Sequence, residues 1–388
     1  MTESQIYLSI AHPSGKEKQY ISEAIDSNWI TTAGPQITLF EKSLESYLDT
    51  RKPVVALSSG TAALHLALIE LGIESDDEII CQDLTFVATI NPVKYVNAIP
   101  ILVDSEKDTW NISPEFLEEA ITDRIKKTSK KPKAIIAVDL FGMPARLPEI
   151  MQIADNYEIP LIEDAAEALG SYIIVDNKKK FCSTFGDNGY FSFNGNKIIT
   201  ASTGGALICR NDEQAANIRF LSGQAKDPAP HYQHSQLGYN YNLSNICAAL
   251  GLAQMEVLQE HVDRRREINL LYRSGLAEYP DIEFQNEPDD YFSNYWLTCI
   301  LFPSETIRDA VKKHLEMNRI ESRPIWKPMH LQPLYKDSPY YGTKFGEHLF
   351  TRGLCLPSSS FLTDDNIMNI SNLIKDCFAT SYITMTTT

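Results

Sequence analysis

Three short segments of the sequence carry residue types that could do chemistry together. Lys197 lies in FSFNGNKIITASTGG, in a polar turn between two apolar runs. Asp164 stands 33 positions earlier, at the end of the apolar run PLIED. Gly60 and Thr61 follow another apolar run, in SSGTAALHLAL. The chemistry available to such a set is an amine, a carboxylate and a turn whose backbone can approach a phosphate.

Each of these residues also has a purely structural interpretation. A lone lysine in a turn is usually solvated, and Gly60 and Thr61 could simply cap a helix, since Ser, Thr and Gly are common at helix starts. Asp164 could cap the helix that begins in AAEALG. Phe86, in QDLTFVATINPV, could be ordinary core packing or a ring that lies flat on a ligand.

Taken together, the segments predict a site for pyridoxal 5'-phosphate. This cofactor needs a phosphate cradle, a carboxylate that keeps its pyridine nitrogen protonated, and a lysine that forms a Schiff base with its aldehyde. Glu167 lies three residues after Asp164 and on the same side of the chain. The combination predicts Lys197 and Asp164 as catalytic residues.

The elements that must position these residues alternate along the chain. Between Pro53 and Cys209, helical patterns separate the apolar runs VVALS, EIICQD, PILVD, KAIIAVDL, PLIEDA, GYFSF and GALIC. Continuous apolar runs are typical of strands buried on both faces. The pattern predicts an α/β fold with a mostly parallel seven-stranded sheet between helices.

The remainder of the chain predicts a smaller α+β domain. Residues 242–279 are expected to form one long helix, whose apolar first half and charged second half suit a bridge between two units. We place the large domain, with an N-terminal segment, at residues 1–245 and the smaller domain at residues 246–388. The smaller domain contains a predicted strand in NYWLTCILF and helices in SETIRDAVKKHLEMN and DDNIMNISNLIKDCF.

Charge and composition exclude several classes of partner. The formal net charge of -16 disfavours nucleic acid or an anionic membrane as the main partner, because both attract basic surfaces. No apolar run approaches the roughly 18 residues of a membrane span, and the first residues lack a signal-peptide pattern, so a cytoplasmic location is expected. The 7 cysteines are scattered without a Cys-x-x-Cys pair, which predicts buried thiols and no metal site.

In order and spacing, these segments resemble the DegT/StrS family of nucleotide-sugar aminotransferases, which have pyridoxal-phosphate fold type I. The resemblance covers nearly the whole chain, from SNWITTAGPQITLFE through LIEDAAEALGS and FSFNGNKIIT to GYNYNLSNICAALGLAQME and RPIWKPMH. It implies that Lys197 is the Schiff-base lysine, that Asp164 faces the pyridine nitrogen and that Glu167 faces the phenolic oxygen. The other implied cofactor contacts are Gly60, Thr61, Phe86, Ser192 and Asn240. Asn240 would reach the phosphate of the neighbouring subunit, in a homodimer with shared active sites.

The motifs most resemble family members of the bacillosamine pathway. Their implied substrates are L-glutamate and UDP-2-acetamido-2,6-dideoxy-4-keto-glucose, and the product is UDP-2-acetamido-4-amino-2,4,6-trideoxyglucose. The implied substrate contacts are Arg323, Trp326, Lys327 and His330, of which Arg and Lys suit phosphate oxygens. Trp326 could instead be core packing.

Four alternatives and two departures from the family pattern remain. The sugar could be the altro-configured UDP sugar of the pseudaminic acid route or a dTDP sugar. A sugar dehydratase is disfavoured by Lys197, which such relatives replace, and a non-catalytic sensor by the lack of an appended domain. Asn242 stands where many relatives have Arg, and Asp139, in DLFG, where many have His.

Overall fold

The computed structural model describes residues 5–386. Its helices are α1 (Glu17–Asp26), α2 (Pro35–Tyr47), α3 (Gly60–Glu70), α4 (Asn91–Tyr95), α5 (Pro114–Thr128), α6 (Leu147–Tyr157), α7 (Asp212–Ser222), α8 (Asn245–Met255), α9 (Leu258–Gly275), α10 (Glu305–Met317), α11 (Phe345–Arg352) and α12 (Asp364–Thr386). Its strands are β1 (Val54–Leu57), β2 (Glu78–Gln82), β3 (Ile99–Val103), β4 (Ala134–Val138), β5 (Leu161–Asp164), β6 (Tyr172–Val175), β7 (Lys178–Phe181), β8 (Asn188–Ser192), β9 (Gly205–Ile208), β10 (Glu283–Phe284), β11 (Tyr291–Phe292), β12 (Thr298–Leu301), β13 (Arg323–Pro324), β14 (Tyr340–Tyr341) and β15 (Gly353–Leu356).

The central sheet has the strand order β1-β9-β8-β5-β4-β2-β3-β14. Its pairings are parallel from β14 through to β8, and only the two pairings of β9 are antiparallel. All seven predicted apolar strands belong to this sheet, so the mostly parallel α/β prediction is confirmed. The additional strand, β14, pairs its two residues with Leu102 and Val103. A two-residue strand is too short to produce a recognisable sequence pattern.

Both faces of the central sheet are covered by helices. Along β4, Ile135 and Ala137 join one apolar core with residues of α2, α5, α6 and α8. Ala134 and Ile136 point the other way, into a second core with residues of α3, α4 and α7. Because side chains alternate across a strand, burial on both sides requires the unbroken apolar runs seen in the sequence.

The prediction of one long helix over residues 242–279 is wrong. The structure has α8 and α9, separated at Glu256 and Val257, where Val257 takes φ -115° and ψ 7°. The break lets two different faces be buried: α8 packs on α1 and α2, and α9 packs on α12. The change of character along the sequence therefore marks two helices with different neighbours rather than one continuous bridge.

A second sheet, with the order β10-β12-β15-β13, forms the centre of the C-terminal part. It shares an apolar core with α9, α10 and α12. The predicted strand in NYWLTCILF is β12, and the two predicted helices are α10 and α12. The remaining sheet, β11-β6-β7, joins a strand from this part to a hairpin that follows β5.

The structure can be compared with the expectations about cysteines, membrane-spanning helices and metal sites. Five of the seven thiols are buried, as predicted, whereas Cys247 and Cys377 are half-buried; the buried ones are Cys81, Cys182, Cys209, Cys299 and Cys355. Within residues 5–386, no helix combines the length and the apolar character that crossing a membrane requires. Over the same range, His, Cys, Asp and Glu side chains form no cluster of three that could hold a metal ion.

Candidate active site

A cavity of about 360 Å³ opens at the carboxyl edge of the central sheet. Ligands of open α/β sheets bind at this edge, because the loops that follow parallel strands converge there. The cavity brings together eight of the twelve residues singled out from the sequence: Gly60, Thr61, Phe86, Asp164, Glu167, Ser192, Lys197 and Trp326.

The first turn of α3 forms one wall of the cavity. Ser59 caps this helix, since its Oγ accepts a hydrogen bond of 3.0 Å from the backbone N–H of Ala62. A Cβ on Gly205 of β9 would lie 2.3–2.5 Å from backbone atoms of Ser59 and Gly60. The glycine thus lets the helix start directly on the sheet. The start of α3 presents Gly60 and Thr61 to the cavity, with the unpaired N–H groups and partial positive charge of a helix N-terminus.

Asp164 ends β5 and lies almost completely buried, with 4% exposure. Its Oδ2 accepts a hydrogen bond of 2.6 Å from Thr89 Oγ1, and its Oδ1 accepts one of 3.1 Å from the N–H of Ala166. Burial raises the pKa of Asp164, while the hydrogen bonds from Thr89, Tyr190 and Ala166 act in the opposite direction. A cation arriving in the cavity would therefore find a carboxylate held in place and poorly solvated.

Glu167 and Lys197 face each other across the cavity. Lys197 Nζ lies 3.4 Å from Glu167 Oε1, and the lysine side chain is only 12% exposed. The other carboxylate oxygen of Glu167 accepts a hydrogen bond of 2.7 Å from the N–H of Phe141. Burial raises the pKa of Glu167, and the nearby Lys197 opposes that rise. Lys197 is thus a largely enclosed amine and not a solvated turn lysine.

The turn that carries Lys197 is fixed by residues far away in sequence. The carbonyl of Asn196 accepts hydrogen bonds of 2.7 Å from Ser9 Oγ and 2.7 Å from Trp296 Nε1. The Trp296 ring centroid lies 4.2 Å from Lys197 Nζ, so the ring also forms a cation–π contact with the amine. Asn294 holds Trp296 in turn: the Oδ1 of Asn294 accepts a hydrogen bond of 2.8 Å from the backbone N–H of Trp296.

Two aromatic side chains flank the open side of the cavity. Phe86 is 57% exposed, so it is not the core residue that its apolar type alone would suggest. Its ring centroid lies 6.3 Å from that of Trp326, which in turn lies 5.5 Å from that of Phe141. Trp326 is half-buried, and its Nε1 is enclosed without a hydrogen-bond partner among the described residues.

Four of the predicted contacts lie outside this cavity. Asn240 is exposed and forms a backbone bridge with Gly223. Arg323 pairs with Glu321 at 2.8 Å, and both Arg323 and Lys327 line a separate cavity of about 600 Å³. Trp326 lines both cavities. The side chain of Trp326 therefore separates Arg323 and Lys327 from the cavity around Lys197.

His330 occupies a different environment from the one expected of a ligand contact. Its Nδ1 lies 2.7 Å from Asp83 Oδ2 and its Nε2 lies 3.0 Å from Glu347 Oε1. Burial lowers the pKa of His330, but the hydrogen bonds and charges of the two carboxylates outweigh it, so the pKa is raised. Both ring nitrogens are thus engaged within the protein, and the imidazole ties the segment after Trp326 to the end of β2.

The two departures from the family pattern also lie away from the cavity surface. Asp139 is buried beside the site, where its Oδ1 accepts a hydrogen bond of 2.8 Å from the N–H of Ala145, and burial raises its pKa well above the ordinary value. Asn242 accepts a hydrogen bond of 2.7 Å from Ser222 Oγ. Neither residue lines the cavity around Lys197.

Sequence reasoning missed several residues that line or support the cavity. Thr89 and Tyr190 act on Asp164, and Trp296 contacts Lys197. Thr89 lies in QDLTFVATINPV, the same segment as Phe86, so its position shortly after a strand end could have indicated it as a site residue. Trp296 is separated from Lys197 by 99 positions, and no local pattern indicates that contact.

Comparison with known proteins gives consistent results over nearly the full length. The model of the DegT/DnrJ/EryC1/StrS aminotransferase family matches residues 13–375. EpsN of Bacillus subtilis (strain 168), whose name describes a pyridoxal phosphate-dependent aminotransferase, is 44% identical over 97% of this chain and 96% of its own. The GDP-perosamine synthase of Escherichia coli O157:H7 is 36% identical over 96% of this chain and 99% of its own. The crystal structure of a DegT DnrJ EryC1 StrS aminotransferase from Brucella abortus superposes with a TM-score of 0.87, at 30% identity, over 93% of this chain and 95% of that one.

Proposed function

The chain belongs to the DegT/DnrJ/EryC1/StrS aminotransferase family, and we propose that it moves the amino group of L-glutamate to C4 of a UDP-linked 4-keto-6-deoxy sugar. It is a pyridoxal phosphate-dependent sugar aminotransferase. The proposed acceptor is UDP-2-acetamido-2,6-dideoxy-4-keto-glucose and the product is UDP-2-acetamido-4-amino-2,4,6-trideoxyglucose. The convergence of Lys197, Asp164 and the first turn of α3 on one cavity carries the proposal.

The residues of the cavity fit pyridoxal phosphate. Gly60 and Thr61 at the start of α3, together with Ser192 at the end of β8, provide hydroxyl and N–H donors for a phosphate. A Cβ on Gly60 would lie only 3.3 Å from Ser192 Cβ, so the glycine keeps these two segments close together. The hydrogen-bond donors to the buried Asp164 are neutral hydroxyl and N–H groups, and Lys197 acts on it only through its charge. A protonated ring nitrogen would therefore supply a directly bonded cation. Phe86, at the open side, would cover one face of the ring.

The chemistry divides between the cofactor and the side chains. When bound, pyridoxal phosphate supplies an aldehyde that accepts an amino group and a ring that withdraws electrons from the adjacent carbon. Asp164 would hold the proton on the ring nitrogen, since the positive charge there favours the ionised carboxylate. Lys197 Nζ would remove and return the proton at the reacting carbon, acting as base and then as acid. Trp296 and Glu167 keep that amine within the cavity.

The second cavity supports a nucleotide-linked substrate. It adjoins the first through Trp326, and three cations line it: Lys312, Arg323 and Lys327. Glu316 and Glu321 also line it and pair with Lys312 and Arg323, so Lys327 is the cation without a carboxylate partner among the lining residues. Ser322 Oγ is buried there without a hydrogen-bond partner among the described residues. A sugar in the first cavity could thus extend a diphosphate toward these cations and a base toward the face of Trp326. In this proposal His330 positions the segment and does not touch the substrate.

A homodimer with shared sites is part of the proposal. Asn240 follows a segment in which Tyr232 is 82% and Leu237 is 76% exposed. If these side chains belong to one contiguous apolar patch, that patch is typical of a surface that a partner covers. A second copy seated there could bring Asn240 to its phosphate, in a closed two-fold arrangement.

A mixing experiment tests the shared site. Lys197→Ala and Asn240→Asp proteins should each be inactive, the second because a carboxylate would repel the phosphate. If each site takes Lys197 from one subunit and Asn240 from the other, unfolding and refolding an equal mixture should restore about 25% of wild-type activity, since half of the dimers are mixed and each has one intact site. A mixture that regains nothing, while a wild-type control refolds fully, contradicts the sharing.

The role of Lys197 is tested by chemical trapping. Borohydride treatment of the loaded enzyme should attach the cofactor to Lys197, identified by peptide mass spectrometry. Lys52 is a matched control: it is partly buried, but its Nζ donates to the carbonyls of Thr184 and Gly186 and should stay unlabelled. Substantial transamination by Lys197→Ala would overturn the assignment.

The sugar is tested by turnover. The enzyme is supplied with glutamate and, separately, the gluco UDP sugar, the dTDP sugar and a GDP-linked keto sugar, and the product is examined by proton NMR at C4. The last arm is included because the GDP-perosamine synthase is 36% identical. Faster amination of the GDP or dTDP sugar than of the UDP sugar would replace the proposed nucleotide, and an axial amine at C4 would replace the proposed gluco product by its galacto epimer.

A further inference from the structure

Arg265, in α9, is a buried cation without a carboxylate partner among residues 5–386. It is 1% exposed, its Nη1 donates to the carbonyl of Trp296, and its Nη2 lies 3.2 Å from Ser9 Oγ. Its Nε is buried with no hydrogen-bond partner in the described chain. Burial lowers its pKa to about 9. Burying an unpaired charge costs several kcal/mol in general, and Arg265 offsets that cost with only two hydrogen bonds.

Both partners of Arg265 act on the same backbone atom. Ser9 Oγ and Trp296 Nε1 each donate to the carbonyl of Asn196, at 2.7 Å and 2.7 Å. Asn196 immediately precedes Lys197, and the Trp296 ring lies 4.2 Å from Lys197 Nζ. The Arg265 guanidinium is therefore connected to the Lys197 turn in two ways, through the hydroxyl of Ser9 and through Trp296.

Glu17 is the carboxylate whose charge acts on the two histidines beside this network, but it forms no hydrogen bond or ion pair with Arg265 among the described residues. His12 and His261 stack with ring centroids 4.8 Å apart, and His261 Nδ1 lies 3.4 Å from the carbonyl of Ile198. Burial lowers the pKa of His261 to about 4, so its ring is neutral at ordinary pH. His261 thus contacts the far side of the lysine turn as a neutral ring.

We propose that Arg265 is a positioning residue that fixes the turn of Lys197 through Ser9 and Trp296. The inference rests on the proposed role of Lys197. Two hydrogen bonds from different elements to one carbonyl hold a turn more tightly than either alone, and a charged donor strengthens the set by polarising both oxygens that it binds. A misplacement of about 1 Å at a reacting group can lower a rate by roughly 100-fold.

Arg308 provides a matched control. It is also a buried arginine, with 4% exposure, and it binds the carbonyl of Phe350 at 3.1 Å. Unlike Arg265, it pairs with carboxylates, Glu305 at 3.2 Å and Asp309 at 2.8 Å. Its contacts lie in α10 and α11, away from the lysine turn. Arg308→Met should therefore lower the melting temperature without altering that turn.

The test compares Arg265→Met, Arg265→Lys, Ser9→Ala and Arg308→Met. Hydrogen exchange of the cofactor-free proteins reports the turn directly, since the N–H of Lys197 donates to the carbonyl of Asn194 at 3.0 Å. Exchange in the peptide over residues 193–200 should be about tenfold faster in Arg265→Met and Ser9→Ala, and near wild type in Arg308→Met. In the loaded enzymes, kcat should fall about 10- to 100-fold with the KM for glutamate little changed, and Arg265→Lys should recover part of the loss.

The outcomes separate the two proposals. Unchanged exchange and unchanged kcat in Ser9→Ala and in Arg265→Met would overturn the inference, as would equal effects in Arg308→Met. If Arg265→Met does not fold, Ser9→Ala decides the question, because Ser9 is partly exposed and its loss leaves the core intact. Absence of cofactor on Lys197 in borohydride-treated wild-type enzyme would refute the proposed function, while the exchange measurement would still test the link from Arg265 to the turn.

Discussion

Replacing Thr89 by valine should weaken cofactor binding while leaving the shape of the site nearly unchanged. Thr89 is 2% exposed, and its Oγ1 donates to Asp164 Oδ2 at 2.6 Å. A hydrogen bond to a charged group contributes about 1.5–3 kcal/mol. Since each 1.4 kcal/mol is a factor of ten, the loss corresponds to a roughly 10- to 150-fold higher Kd for pyridoxal phosphate.

The physical reason is the charge of Asp164. The hydroxyl of Thr89 favours the ionised carboxylate, so its removal raises the pKa of Asp164 further and leaves less negative charge to pair with the ring nitrogen. The acid limb of cofactor binding should accordingly move to higher pH. Both quantities follow from titration of the apoprotein with pyridoxal phosphate, monitored by absorbance at several pH values.

Two control variants define the result. Thr89→Ser retains the hydroxyl and should stay near wild type. Thr85→Val removes the next hydroxyl along the chain of hydrogen bonds, since Thr85 Oγ1 lies 2.7 Å from Thr89 Oγ1, and should have a smaller effect. A Kd within twofold of wild type for Thr89→Val, at every pH, would refute the idea that this hydroxyl holds the carboxylate.

Three further predictions concern packing and pH. Gly205→Ala should abolish tight cofactor binding, measured by the same titration, because its Cβ would lie 2.3–2.5 Å from the backbone at the start of α3. Burial raises the pKa of Glu163 to about 7. This carboxyl should therefore make the free energy of unfolding fall as pH rises from about 4.5 to about 7. Urea melts of Glu163→Gln at several pH values should show a shallower fall. His330 has a raised pKa, so the stability advantage of wild type over His330→Gln should be greatest below about pH 6.5 and should shrink as pH rises through that pKa; an advantage that grows with pH would contradict the ion pairs with Asp83 and Glu347.

The part of the fold that the sequence predicts is the part built from local patterns. The seven apolar strands and the residues at their ends, such as Asp164 and Gly60, follow from period and position alone, because parallel strands place their carboxyl ends at one edge. Chain-distant contacts do not leave such a pattern. Trp296 beside Lys197 and Arg265 beside Ser9 depend on how separate elements pack. His330 has the right residue type for a ligand contact, but its carboxylate partners, Asp83 and Glu347, come from elements whose packing no local pattern indicates.

The carbonyl of Asn196 has a consequence for how the protein matures during synthesis. The strands β1 to β9 are complete once residue 208 has left the ribosome, whereas the donor Trp296 emerges 88 residues later. Until then the lysine turn lacks its tryptophan, and until residue 265 has emerged it also lacks the arginine of α9. The nascent chain can therefore pair the strands of the central sheet other than β14 early, whereas the Lys197 turn takes up its final place late. If Lys197 binds the cofactor as proposed, cofactor capture waits until most of the polypeptide has been made.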